Sequence, residues 1–124
     1  MADFTIVKRQ IITEYIKLYG SDRSGYTWDL AACIDVFRYY YWQYKRTFKQ
    51  DHPHLKNETI RRIIEAFPYI EDDTMQNRAE DLEPGQYPAL IDAYFKQDFD
   101  GCNYSIAHFM SGDIRLLRYY EELY

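Results

Sequence analysis

The sequence predicts an all-α protein, folded as a compact bundle of five or six helices in a single helical domain that spans residues 1–124. Apolar residues recur at steps of three and four along most of the chain, which is the spacing of one helix face. No segment of useful length alternates polar and apolar residues as a strand would. With 47% hydrophobic and 19% aromatic residues, the chain can bury a core without a metal or disulfide.

The first two helices are predicted to be the longest. Apolar residues at helical spacing begin at Phe4 and end at Tyr19, where Gly20 provides a typical C-terminal stop. The second helix is predicted to start with Thr27 as its cap and to run to about Lys49. Its expected core positions are Leu30, Cys33, Ile34, Phe37, Tyr41, Tyr44 and Phe48.

Shorter elements are expected in the middle of the chain. Asn57 can cap a third helix, which Pro68 limits. Residues 71–73 then form a solvated acidic turn, and residues 74–82 are predicted to be a weaker helix. The segment 83–85 breaks it, because it contains proline and glycine.

Two further helical segments and a final helix complete the prediction. Pro88 suits the first residue of a helix, because its missing donor would be unpaired there anyway. Residues 98–103 are expected to be a loop and residues 105–110 a short helical turn, after which Asp113 caps a helix that reaches Tyr124. We expect Ile114, Leu117 and Tyr120 on the inner face of this last helix, and Arg115 and Arg118 on its outer face.

Composition narrows the function classes. No apolar run approaches the length of about 18 residues that a membrane span needs, and residues 1–4 show no leader pattern. We therefore expect a cytoplasmic protein without membrane contact, in which Cys33 and Cys102 are reduced thiols.

Signatures of catalysis are missing. The chain has no phosphate-binding glycine loop, no nucleophile elbow and no paired-cysteine zinc spacing, so we assign no catalytic residue, metal or cofactor. An enzyme or metal protein would have to bring together His52, His54, His108 and the turn at 98–103. The preferred interpretation places His52 and His54 in a solvated turn between helices and makes His108 a half-buried, hydrogen-bonded histidine.

Charge is distributed unevenly along the chain. Residues 1–62 hold 11 basic and 7 acidic side chains, a net +4, whereas residues 63–124 hold 4 and 13, a net −9, which together give the overall −5. The sequence thus predicts two surfaces of opposite charge.

The basic surface is a face of the second helix with a large aromatic side chain. Such a face can bind phosphates and stack a base, or dock an acidic neighbour, or simply be solvated. The residues that define it, here called the basic aromatic face, are Arg38, Trp42, Lys45, Arg46 and Lys49.

The acidic surface lies in the second half of the chain. Clustered carboxylates are tolerable in water or against a cationic partner, so they favour binding to a basic, nucleic-acid-binding protein in the manner of a DNA mimic. A solubilising loop is the alternative. The residues, here called the acidic set, are Glu71, Asp72, Asp73, Glu80, Asp81 and Glu83.

Consecutive tyrosines indicate exposed aromatic rings. A helix cannot bury all of residues 39–41 on one stripe, so Tyr39 or Tyr40 should be partly exposed, as should one of Tyr119 and Tyr120. Because tyrosine and tryptophan are favoured at binding surfaces, these rings suggest an interface, which includes the option of a homodimer.

Three short motifs in the C-terminal segment are similar to segments of other proteins. Residues 104–109 (YSIAHF), 112–115 (GDIR) and 118–121 (RYYE) resemble the tails of small uncharacterised helical proteins of bacterial phages and conjugative elements. The resemblance implies a replication accessory factor, a regulator or an inhibitor of host defence, and the size and charge are similar to those of anti-CRISPR inhibitors. The leading hypothesis is therefore a non-enzymatic inhibitor with an acidic interface, and the alternative is a nucleic-acid-binding accessory protein that uses the basic aromatic face.

Overall fold

A computed structural model describes residues 4–20, 26–72, 77–98 and 103–122, with side chains omitted at 71–72, 77–80 and 112–113. Most of the described residues are helical, in six helices, which confirms the all-α class. No helix in these ranges is both long and apolar enough to cross a membrane. The helices are α1 (Phe4–Tyr19), α2 (Leu30–Phe48), α3 (Asn57–Ala66), α4 (Tyr87–Phe95), α5 (Ile106–Phe109) and α6 (Gly112–Glu122).

The two long helices end where a residue adopts positive φ. Gly20, at φ 54°, donates its N–H to Ile16 O and closes α1 as predicted. Lys49, at φ 58°, closes α2. The predicted cap of α2 is wrong, because Asp29 and not Thr27 accepts the N–H of Ala32, at 2.8 Å. A carboxylate is an equally good cap and carries a charge that the helix N-terminus favours.

The core contains three fully buried tyrosines whose hydroxyl groups have hydrogen-bond partners. Tyr40, Tyr87 and Tyr94 have no solvent exposure. Tyr40 donates to Tyr104 O at 2.6 Å, and Tyr87 donates to Phe67 O at 2.7 Å. Since a buried hydroxyl is costly only when it lacks a partner, these bonds allow tyrosines to fill a helical core.

The predicted helix over 74–82 is wrong, and so is the acidic turn at 71–73 as far as it is described. Strand β1 (Tyr69–Asp72) pairs antiparallel with β2 (Asn77–Asp81), with Tyr69 opposite Asp81. Ile70 and Leu82 are fully buried, and the Leu82 carbonyl accepts hydrogen bonds from Tyr26 Oη and Trp28 Nε1 at 2.9 and 2.8 Å. Tertiary anchoring of these two apolar residues outweighs a weak local helix propensity.

The predicted inner face of α6 is wrong at Leu117 and Tyr120, although Ile114 packs partly buried against the core as predicted. Leu117 and Tyr120 are 53% and 39% exposed, whereas Arg115 and Arg118 are each only 5% exposed and Tyr119 is buried. Arg115 donates from Nη1 to Ala66 O and to Tyr87 Oη, both at 2.8 Å. Because Ala66 ends α3, the guanidinium sits at the negative end of that helix dipole and needs no carboxylate there.

Candidate functional site

All five residues of the basic aromatic face are exposed on α2 or at its C-terminal end. They follow steps of four, three, one and three residues, so they lie on the side of α2 that faces away from its buried residues. Trp42 is 53% exposed, which is unusual for the largest apolar side chain. The structure therefore brings the predicted basic aromatic residues together as one continuous surface.

Two of its cations are paired and two are not. Arg38 contacts Asp35 at 3.3 Å, and Lys45 contacts Asp51 at 3.0 Å. Both ion pairs are largely exposed to solvent and are therefore weak. Within the described ranges of the chain, Arg46 and Lys49 form no ion pair, so their charges remain available to an anion.

Trp42 is held in place by two neighbours on the same helix. The Arg46 guanidinium lies 5.3 Å from the centroid of the indole ring, and the Tyr39 ring lies at 5.8 Å with a 42° tilt. Tyr39 in turn donates from Oη to Asp92 Oδ1 at 2.7 Å, and burial, together with this bond, raises the pKa of Tyr39 to about 12. An exposed indole with a fixed orientation offers contact area at a low cost in side-chain entropy.

A groove of about 400 Å³ separates α2 from α4 and opens beside Arg46. Sequence reasoning missed its α4 wall, although residues 92, 95 and 96 share one face by helical spacing, because nothing in sequence indicates which helix lies beside α2. The lining residues are Gln43, Arg46, Thr47, Asp92, Phe95 and Lys96.

The acidic set falls only partly within the described residues. Asp73 lies outside them, and the side chains of Glu71, Asp72 and Glu80 are not described. Asp81 and Glu83 are exposed. The backbone register nevertheless places residues of β1 and β2 on adjoining strands, which lie about 5 Å apart in an antiparallel pair.

The three histidines do not form one site. Contrary to the predicted solvated turn, His52 is buried: its Nε2 accepts the N–H of Ile106 at 2.9 Å, and Nδ1 donates to Pro53 O at 2.7 Å. Burial lowers its pKa to about 4, a shift that the bond to Pro53 opposes. His54 is exposed, and His108 is half-buried against Tyr94 Oη at 2.8 Å, as predicted.

Metal-ligating side chains are dispersed in the part of the chain that the structure describes. No three of its His, Cys, Asp and Glu residues are close enough to hold an ion. Cys33 is buried and free, and burial raises its pKa to about 12, which makes its thiol unreactive at neutral pH. Most of the predicted turn at 98–103, with Cys102, lies outside the described residues.

The tyrosine predictions are confirmed. In the run at 39–41, Tyr40 is fully buried and Tyr39 is half-buried, and in the pair on α6 Tyr119 is buried while Tyr120 is exposed. Exposed aromatic side chains thus lie on both α2 and α6.

Comparison with protein-family models, with curated proteins and with solved structures yields no match for this chain. Functional inference therefore rests on the geometry above.

Proposed function

We propose that the protein is a non-enzymatic binding protein that holds single-stranded nucleic acid on the basic aromatic face of α2. The observation that carries the proposal is the exposed Trp42 indole, which lies about one helical turn from Arg46 and two from Lys49. Both cations are free of ion pairs among the described residues. Phosphates would bind the cations, and a base would stack on the indole.

The overall charge of −5 favours a single strand over a duplex as the ligand. A duplex presents a dense, rigid array of phosphates to a broad surface, which an acidic protein repels as a whole. A flexible strand can follow a local basic strip, and its unstacked bases are free to meet an aromatic ring.

Fluorescence anisotropy with a labelled single-stranded 12-mer at about 50 mM salt tests this proposal. We expect binding that weakens steeply as salt increases, and a loss of about tenfold or more in affinity for the double variant Arg46→Ala/Lys49→Ala. Removal of the indole in Trp42→Ala should cost about 1 to 3 kcal/mol of binding free energy.

A charge-matched control distinguishes the face from general electrostatics. Arg9 and Arg62 are exposed on α1 and α3, so Arg9→Ala/Arg62→Ala removes the same charge elsewhere on the surface. If both double variants lose affinity equally, or if wild-type protein binds no single strand at low salt, the proposal is wrong.

A second candidate function is the binding and inhibition of a basic protein through the acidic set, as in mobile-element inhibitors. The pairing of β1 with β2 favours it, because Glu71 and Asp81, ten positions apart in sequence, belong to one hairpin, which ends at the exposed Asp81 and is followed by the exposed Glu83. Capture of a partner from bacterial lysate should be strong at low salt and weak at high salt. Capture that is unchanged in Asp81→Lys/Glu83→Lys would exclude this surface.

A further inference from the structure

The groove between α2 and α4 is lined by two cations and by a carboxylate, one oxygen of which has no protein partner among the described residues. Asp92 Oδ1 accepts two hydrogen bonds, from Tyr39 Oη at 2.7 Å and Gln43 Nε2 at 2.8 Å. Its other oxygen, Oδ2, has no hydrogen-bond partner among the described residues, and neither Arg46 nor Lys96 forms an ion pair there. The groove therefore combines one fixed acceptor with two available positive charges.

We infer that this groove is a base-selective nucleotide subsite that accepts a base bearing an exocyclic amino group and rejects thymine or uracil. The inference rests on the proposed function and extends it from general strand binding to base selection. The arrangement is complementary to a nucleotide, because Asp92 accepts the amino hydrogens, Phe95 supplies an apolar ring, and Arg46 and Lys96 attract the phosphate.

The fixed position of Asp92 makes it suitable for discrimination. Two donors, from Tyr39 and Gln43, hold the same carboxylate oxygen, so rotation of the carboxylate would break both hydrogen bonds. Cytosine and thymine have the same ring size but differ at position 4, where cytosine has an amino donor and thymine a carbonyl acceptor. A carboxylate oxygen attracts the first and repels the second. The volume of about 400 Å³ is sufficient for either pyrimidine, so size does not decide between them.

The test compares the affinities of d(C)12 and d(T)12 at pH 7.5 for three proteins. Wild-type protein should bind d(C)12 about tenfold more tightly, because a hydrogen bond to a charged group is gained in one case and a lone-pair repulsion in the other. Asp92→Asn keeps the oxygen that Tyr39 and Gln43 bond and turns Oδ2 into an amino donor, so the preference should move to d(T)12.

Asp35→Asn is the charge-matched control, since it removes one negative charge from the exposed side of α2, outside the groove that Asp92 of α4 lines. It should change both affinities by the same factor and leave their ratio unchanged. Equal affinities of wild-type protein for the two oligonucleotides, or a ratio in Asp92→Asn within twofold of the wild-type ratio, would overturn the inference but leave the proposed function in place. Failure of wild-type protein to bind either oligonucleotide would overturn both.

Discussion

Helices α2 and α6 both carry arginines, and they place them oppositely. On α2, Arg38 and Arg46 lie on the exposed side beside Trp42. On α6, Arg115 and Arg118 are buried, while apolar side chains face solvent. Polarity alone predicts the orientation of α2 correctly and that of α6 incorrectly.

The difference comes from what each helix packs against. Arg115 meets the carbonyl of Ala66 at the end of α3 and the hydroxyl of Tyr87, so its charge is solvated by protein dipoles. On the buried side of α2, Tyr40 and Phe37 pack into an aromatic core, and the Tyr104 carbonyl there already accepts the hydrogen bond of the Tyr40 hydroxyl. Arg115 is buried because a neighbouring helix provides a carbonyl oxygen for it, whereas Arg118 pairs with Glu121 of its own helix.

Deletion of residues 113–124 gives the largest effect that this comparison predicts. It removes α6, with buried Arg115 and Tyr119, from its contacts with α4 and β1. The free energy of unfolding should fall by several kcal/mol, since loss of even one large buried side chain costs about 2 to 5 kcal/mol. Thermal denaturation measures it, and an unchanged melting temperature would show that α6 is an appendage.

Single arginine substitutions on α2 and α6 should differ in their effect on the free energy of unfolding. Arg115→Ala leaves Ala66 O and Tyr87 Oη without their donor and should cost about 3 kcal/mol in urea denaturation. Arg38→Ala removes only a solvated ion pair with Asp35 and should cost about 0.5 kcal/mol or less. Similar losses in the free energy of unfolding for both variants would contradict the view that hydrogen bonds to Ala66 and Tyr87 stabilise the buried Arg115.

His52 extends the comparison to a buried group that stays neutral. Its pKa is about 4 in the folded protein against 6.5 for the unfolded chain, so protonation favours the unfolded state. Its contribution to stability is complete above pH 6.5 and declines as pH falls towards 4, by up to about 3 kcal/mol. The free energy of unfolding is measured against pH for wild type and for His52→Gln, and the difference between the two profiles gives the contribution of His52. His54→Gln, which changes an exposed histidine, is the control. Parallel pH profiles for wild type and His52→Gln would refute it.

The smallest expected effect is at the exposed apolar residues of α6. Leu117→Ser should change the free energy of unfolding by no more than about 0.5 kcal/mol, because Leu117 is more than half exposed. A loss of 2 kcal/mol or more in the free energy of unfolding, measured by chemical denaturation, would mean that Leu117 is buried in solution. It would support the inner face of α6 that the sequence predicts.

Features that depend on the spacing of residues within one segment could be predicted from the sequence. The bounds of α1 and the exposed position of Trp42 follow from helical spacing and charge along one segment. Three features depend instead on distant partners: the β1–β2 hairpin on the buried Ile70 and Leu82, the burial of His52 on the N–H of Ile106, and the groove on the approach of α4 to α2. No local pattern identifies a partner that lies about fifty residues away. The α4 wall of the groove is therefore found only in the structure.

Tryptophan fluorescence reports on binding at the basic aromatic face, because Trp28 is buried against Phe67 while Trp42 is exposed. Titration with a single-stranded 12-mer should quench the emission of wild-type protein as bases stack on Trp42, and the quenching should reverse with added salt. Trp42→Phe retains only Trp28 and should show no quenching by the oligonucleotide. Wild-type emission that stays constant up to saturating strand, or quenching that persists in Trp42→Phe, would contradict binding at the basic aromatic face.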